Sequence, residues 1–177
     1  MALTYAGVRR RITMRELIGG RWNNSEDFFL DVLIAGIFWL TVISVLGALG
    51  KLMHLADPAK LEGIRRQLKF LTPVSRTDLA AWFGLSMVAG FCEEIVFRGY
   101  LQRQLGAMTG SIFVGVLFSA LLFGLSHGYE GLPRMVLIGV FGLMFGLLAW
   151  WRKSLRPGMI AHAFHDTVQG AILRMMK

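Results

Sequence analysis

Residues 79–98 read LAAWFGLSMVAGFCEEIVFR: twelve residues from Leu79 to Gly90 are apolar or small, and Phe91-Cys92-Glu93-Glu94-Ile95-Val96-Phe97-Arg98 follows without a break. The first part has the composition of a membrane helix. A carboxylate at membrane depth is costly, so a chain that keeps two of them there, with an arginine four residues on, is expected to use them. The reading of this stretch decides the fold, because it makes sense only inside a helical bundle that can shelter charge.

The surroundings agree. The chain has 177 residues, 55% of them hydrophobic, a length suited to one domain or a small membrane bundle. Its mean hydropathy is +0.55. Val32–Gly50 and Gln104–Ser126 are apolar runs too long for an ordinary core helix, and Met135–Trp151 is shorter but uncharged. Net charge is +8, without a basic stripe interleaved with aromatics, so the excess is expected at anionic lipid headgroups and nucleic-acid binding is not expected. The single cysteine, Cys92, excludes an intramolecular disulfide and reads as a small apolar filler beside the glutamates. No cleavable signal peptide is expected, because the first apolar run begins near residue 28 and is too long for one.

The pattern predicts an all-α polytopic membrane bundle of about five transmembrane helices: 28–53, 78–105, 111–127, a fourth from Pro133 in its first turn to Trp151, and 157–176. Asp78 is the expected N-cap of the second. Gly139, Gly142 and Gly146 form a small-residue stripe suited to close helix contact. Residues 1–27 read as a basic tail with an interfacial turn. Between the first two spans, Leu61, Ile64, Leu68 and Leu71 recur at helical spacing around Arg65, Arg66 and Lys69, the pattern of an amphipathic helix in the interface plane or, equally, of a loop helix packed on protein. Two regions are thus expected, 1–77 with the tail, first span and interfacial segment, and 78–177 as the core that carries chemistry. Lys and Arg divide almost equally between the two sides, so charge does not orient the bundle.

Three clusters of polar residues fall inside the predicted spans. Glu94 and Arg98 share a face one turn apart in the favourable order, a structural pair. Glu93 points about 100° away, toward Ala89, Gly90 and Phe97, where desolvation would tune it as a general base. His127 ends the next span; with a hairpin turn at 106–110, it and Glu93 both fall roughly 20–25 Å from the turn. The last span carries His162, His165 and Asp166, with His162 and Asp166 on one face. Here the depths disagree, since His162 lies only about 8 Å from the start of its span.

Glu-Glu-x-x-x-Arg (93, 94, 98), Phe-x-x-x-His (123, 127) and His-x-x-x-Asp (162, 166), in that order on three apolar helices, resemble the CAAX protease and bacteriocin-processing family, also called the Abi family. Each motif alone is weak, and the ordered set is specific over about residues 78–170. The resemblance implies an intramembrane endopeptidase of the glutamic type acting on a membrane-associated peptide or protein. Carried over by position, Glu93 with His127 activates a water, and His162 with residue 166 stabilises the oxyanion. Better-studied CAAX endopeptidases have Asn where this chain has Asp166, and an ionised Asp cannot donate to an oxyanion. It must be protonated, orient a neighbouring histidine, or bind metal. The family was long described as metalloproteases. No cofactor is expected, but Glu93, His127 and His162 are the candidate ligands for a divalent ion such as zinc, with Glu94 and Asp166 as further donors. No His-Glu-x-x-His signature is present. The competing readings are a non-catalytic peptide-binding or bacteriocin self-immunity protein and, less favoured for want of a repeat, a coupled transporter. The expected location is a multi-pass protein of a bacterial cell membrane.

Overall fold

A computed structural model describes residues 13–55, 57, 62, 63, 66, 69 and 72–175. Every regular element among them is helical: α1 (Met14–Ile18), α2 (Ser25–Leu52), α3 (Arg76–Glu93), a π-helical segment (Glu94–Leu101), α4 (Gln102–Thr109), α5 (Ile112–Ser126), a 3₁₀ turn (Gly128–Glu130), α6 (Leu132–Arg152) and α7 (Arg156–Met175). The interfacial helix expected around Leu61, Ile64, Leu68 and Leu71 lies outside the described residues.

Local chemistry sets the helix ends. Ser75, not Asp78, caps α3. The Ser75 hydroxyl accepts from the Asp78 N–H, and the Asp78 carboxylate accepts from the Ser75 N–H, a reciprocal box that a Ser three residues ahead of an acid favours. From there α3, the π segment and α4 form one helical stretch, Arg76–Thr109. The expected turn at 106–110 narrows to Gly110, whose φ of +71° suits a residue without a Cβ, after which Ser111 caps α5. Pro133 stands in the first turn of α6, where its missing N–H costs no hydrogen bond. His127 lies just past the end of α5, as its C-cap.

Ser25–Leu52, Arg76–Thr109 and Leu132–Arg152 are long and apolar enough to cross a membrane, and Ile112–Ser126 is apolar but shorter. Helix α7 is of similar length, 20 residues, but carries the polar residues of the last motif. Outward-facing large side chains such as Phe29 (66% exposed), Leu33 (59%) and Ile37 (59%) leave an apolar surface that water would not tolerate over a whole bundle. The fold is an all-helical bundle of the polytopic membrane class.

In lipid, helix association rests on close packing and on hydrogen bonds between helices. The glycine stripe of α6 meets α5 at backbone distance: a Cβ on Gly142 would lie 3.3 Å from Ala120 Cα, and one on Gly124 of α5 would lie 3.0 Å from Gly139 Cα. Helix α3 meets α7 as closely, since a Cβ on Gly90 would lie 2.7 Å from Ala163 N. Helix α2 packs on this core through Phe38 against Phe145 and Trp39 against Phe164, with ring centroids 4.8 and 4.9 Å apart. At its start, buried Asp31 accepts from Trp22 (2.9 Å) and from Arg152 (2.8 Å) and pairs with Arg156 (3.2 Å), which ties α2 to the junction of α6 and α7.

Candidate active site

The π-helical segment starts at Glu94, and π turns recur at functional sites. From its start into α4, Glu94, Arg98 and Gln102, spaced four apart, are all buried. Arg98 donates to the Gly142 carbonyl (3.2 Å) and Gln102 to the Gly146 carbonyl (3.1 Å), so equal steps on the two helices match. The Arg98 guanidinium also lies over the Phe123 ring at 4.4 Å. Glu94 pairs with Arg98 at 3.0 Å, with both side chains 1% exposed.

Glu94 makes a second contact that its sequence neighbours do not announce. Its Oε1 lies 2.9 Å from His162 Nδ1 on α7. With a proton on Nδ1, the imidazole donates to Glu94, which fixes the ring and turns Nε2 the other way. That Nε2 lies 3.7 Å from Glu93 Oε2 and 3.7 Å from Asp166 Oδ2. Four residues from two helices therefore converge: Glu93 and Glu94 from the α3 side, His162 and Asp166 from α7. Trp82 of α3 supports this edge of α7 by donating its indole N–H to the Asp166 carbonyl at 2.7 Å. Sequence reasoning missed Trp82; its one signal is a polar-edged ring two turns before Gly90.

Two expectations need correction. Glu93 was expected to be the desolvated carboxylate, yet its side chain is 31% exposed while that of Glu94 is 1% exposed. The tight α3–α7 contact at Gly90 and Ala163 aims the next buried turn at Glu94 and leaves Glu93 at the rim. His162 is also not too shallow to reach the glutamates. Helix α7 starts inside the bundle, with Ser154 and Leu155 buried and Leu155 against Gly99 of the long helix. Its first turn is covered by the α1 segment, where Leu155 N–H donates to Ile18 O at 2.8 Å.

His127 sits apart from these hydrogen bonds. Its Nδ1 is 2.9 Å from the Phe123 carbonyl, and its ring lies 4.9 Å from the Phe123 ring and 6.0 Å from that of Tyr129. Phe123 in turn meets His162 at 6.1 Å, so one aromatic ring separates the two histidines. His165 turns away from the carboxylates toward Gln169 (2.6 Å) and Phe141 (5.0 Å). Cys92, expected as a small apolar filler beside the glutamates, is exposed and faces outward. Among the described residues, no group of three or more His, Cys, Asp and Glu is placed to hold a metal ion.

Against known proteins, residues 75–168 match the family model described as type II CAAX prenyl endopeptidase Rce1-like. The chain belongs to this family. The matched residues contain all three motifs of the Rce1-like chain, from Glu93 to Asp166. The chain is also similar to the uncharacterized protein YpbD of Bacillus subtilis (strain 168), 29% identical over 90 residues. That match covers 51% of this chain and 44% of YpbD, so it spans less than half of the relative's length. No solved structure matches. Membership of this family and the apolar helices make the chain an integral membrane protein of the CAAX-type protease class.

Proposed function

We propose that this chain is an intramembrane endopeptidase of the glutamic type, multi-pass in a bacterial cell membrane, which hydrolyses a peptide bond of a membrane-associated peptide or protein. The observation that carries the reading is the position of His162 Nε2, 3.7 Å from both Glu93 and Asp166 while Nδ1 is held by Glu94. A fixed ring nitrogen between two carboxylates, beside a third that is paired to an arginine, suits hydrolysis better than passive binding.

In this mechanism a water sits beside Glu93, which takes one of its protons while the oxygen attacks the scissile carbonyl; His127 helps to orient the water. General-base assistance of this kind is worth about 10²–10⁴-fold. The doubly protonated His162 ring donates Nδ1–H to Glu94 and Nε2–H to the developing oxyanion, a contact worth about 10²–10³-fold in kcat. Asp166 then needs no proton of its own: as an anion beside Nε2 it balances the imidazolium charge. Collapse of the tetrahedral species breaks the C–N bond, and Glu93 returns its proton to the leaving amine.

The test is turnover of a quenched fluorescent peptide with a prenylated CAAX terminus by the purified chain in lipid nanodiscs. Glu93→Gln is expected to lower kcat at least about 10²-fold, and a chelator to leave wild-type turnover unchanged. Turnover that survives Glu93→Gln would sink the site. Loss of turnover in chelator, restored by zinc, would replace the glutamic mechanism with a metal one.

A further inference from the structure

The proposed chemistry leaves a second polar cluster unused, and it contains His165. Glu130 lies in the 3₁₀ turn that follows His127 and is buried, its side chain 8% exposed. Its backbone N–H donates to the His127 carbonyl at 3.0 Å. Its carboxylate accepts from Arg134 Nε at 2.6 Å. Arg134 Nη2 donates to Gln169 Oε1 at 3.4 Å, and the Gln169 amide N–H donates to His165 Nε2 at 2.6 Å. The amide is used consistently, its oxygen accepting from the arginine and its nitrogen donating to the histidine.

We infer that Glu130, Arg134, Gln169 and His165 form a polar chain that positions His127 against α7, with His165 as its anchor. The inference rests on the peptidase reading of the site. His127 lies beyond the last residue of α5, and its ring hydrogen bonds, to Phe123 and Ser126, stay within its own segment. Nothing in those bonds sets its distance from His162 and Asp166. The Glu130 chain does so: it starts at the His127 carbonyl, crosses the first turn of α6 and ends on α7, where His165 lies between His162 and Asp166 in sequence. The rings of His165 and His162 both meet Phe141 at 5.0 Å, so the anchor and the reacting face share one packing partner. His165 Nε2 accepts from Gln169, so that nitrogen is not available as a donor to an oxyanion. A buried carboxylate in a connecting turn of a membrane bundle is costly unless it is used, and here its charge holds the cross-tie. A misplacement of about 1 Å in a catalytic group can cost about 10²-fold, the scale on which such a tie acts.

The test combines turnover with a distance. Spin labels at Leu125 and Ile172, both exposed, are placed in a Cys92→Ser background, and their separation is measured by pulsed electron resonance in nanodiscs. Arg134→Leu is expected to broaden or shift that distribution and to lower kcat about 10–100-fold with KM within about twofold. Arg134→Lys keeps the charge but cannot span Glu130 and Gln169 at once, and should fall between. An unchanged distribution in Arg134→Leu overturns the tie, and so does a changed one with kcat within twofold of wild type. Turnover that survives Glu93→Gln sinks the peptidase site instead, while the distance measurement still decides the tie.

Discussion

Glu94 Oε1 forms an ion pair with Arg98 and a hydrogen bond with His162, so one buried carboxylate holds a charge on its own helix and a ring on another. Replacing it with alanine strands Arg98, 2% exposed, without its counter-ion. Glu94→Ala is therefore expected to cost about 3–5 kcal/mol, read as a shift in unfolding by SDS in mixed micelles. No loss of stability would mean that Arg98 is served by the Gly142 carbonyl alone. The ion pair was legible in the sequence because both partners lie on one helical turn. The Glu94–His162 bond was not, since 68 residues separate its ends and only packing brings them together. Glu93 was misjudged for the same reason: its sequence neighbours are apolar, but its exposure depends on how α7 crosses α3.

Among the elements, the long helix and its π turn depend on neighbours that come to backbone distance. A Cβ on Gly115 of α5 would clash with the Gln102 carbonyl oxygen and lie 2.7 Å from Gly106 N, both backbone atoms that cannot swing aside. Gly115→Ala should thus destabilise the bundle by about 1–3 kcal/mol. Gly36→Ala on α2, which meets open space, should be neutral or stabilising by up to about 1 kcal/mol. Thermal unfolding in detergent compares the two, and equal midpoints would refute the α4–α5 contact. The α6 stripe was readable because small residues at such spacing imply close contact, whereas Gly115 and Gly90 stand alone in the sequence and acquire meaning only from the helix opposite. The Ser75 cap was open to reading too, as a Ser three residues ahead of Asp78.

For the molecule as a whole, Asp31 is the point where the ends meet. It binds Trp22 ahead of α2, Arg152 at the end of α6 and Arg156 at the start of α7, and is 1% exposed. Asp31→Ala leaves two arginines facing each other without an anion, at a cost of about 3–5 kcal/mol. Limited proteolysis should then cut near Lys153, which wild type resists. If the cleavage pattern is unchanged, the junction does not depend on Asp31. This hub also explains the depth of His162, because α7 is held by its first turn inside the bundle. Counting from a helix start assumed at the membrane surface therefore placed that histidine too high.

By itself the sequence determined the class of the molecule and singled out its candidate chemistry-bearing residues. Apolar runs set the helices through the cost of unpaired backbone in lipid, and three ordered motifs singled out Glu93, Glu94, His127, His162 and Asp166. The tertiary structure alone decided how those residues are arranged around one another. Which carboxylate is buried, which nitrogen of His162 faces the site, and where His165 turns depend on contacts between helices far apart in the chain. The close approaches at Gly90 and Gly115 and the carbonyls of Gly142 and Gly146 set those contacts, and helical periodicity carries no record of them.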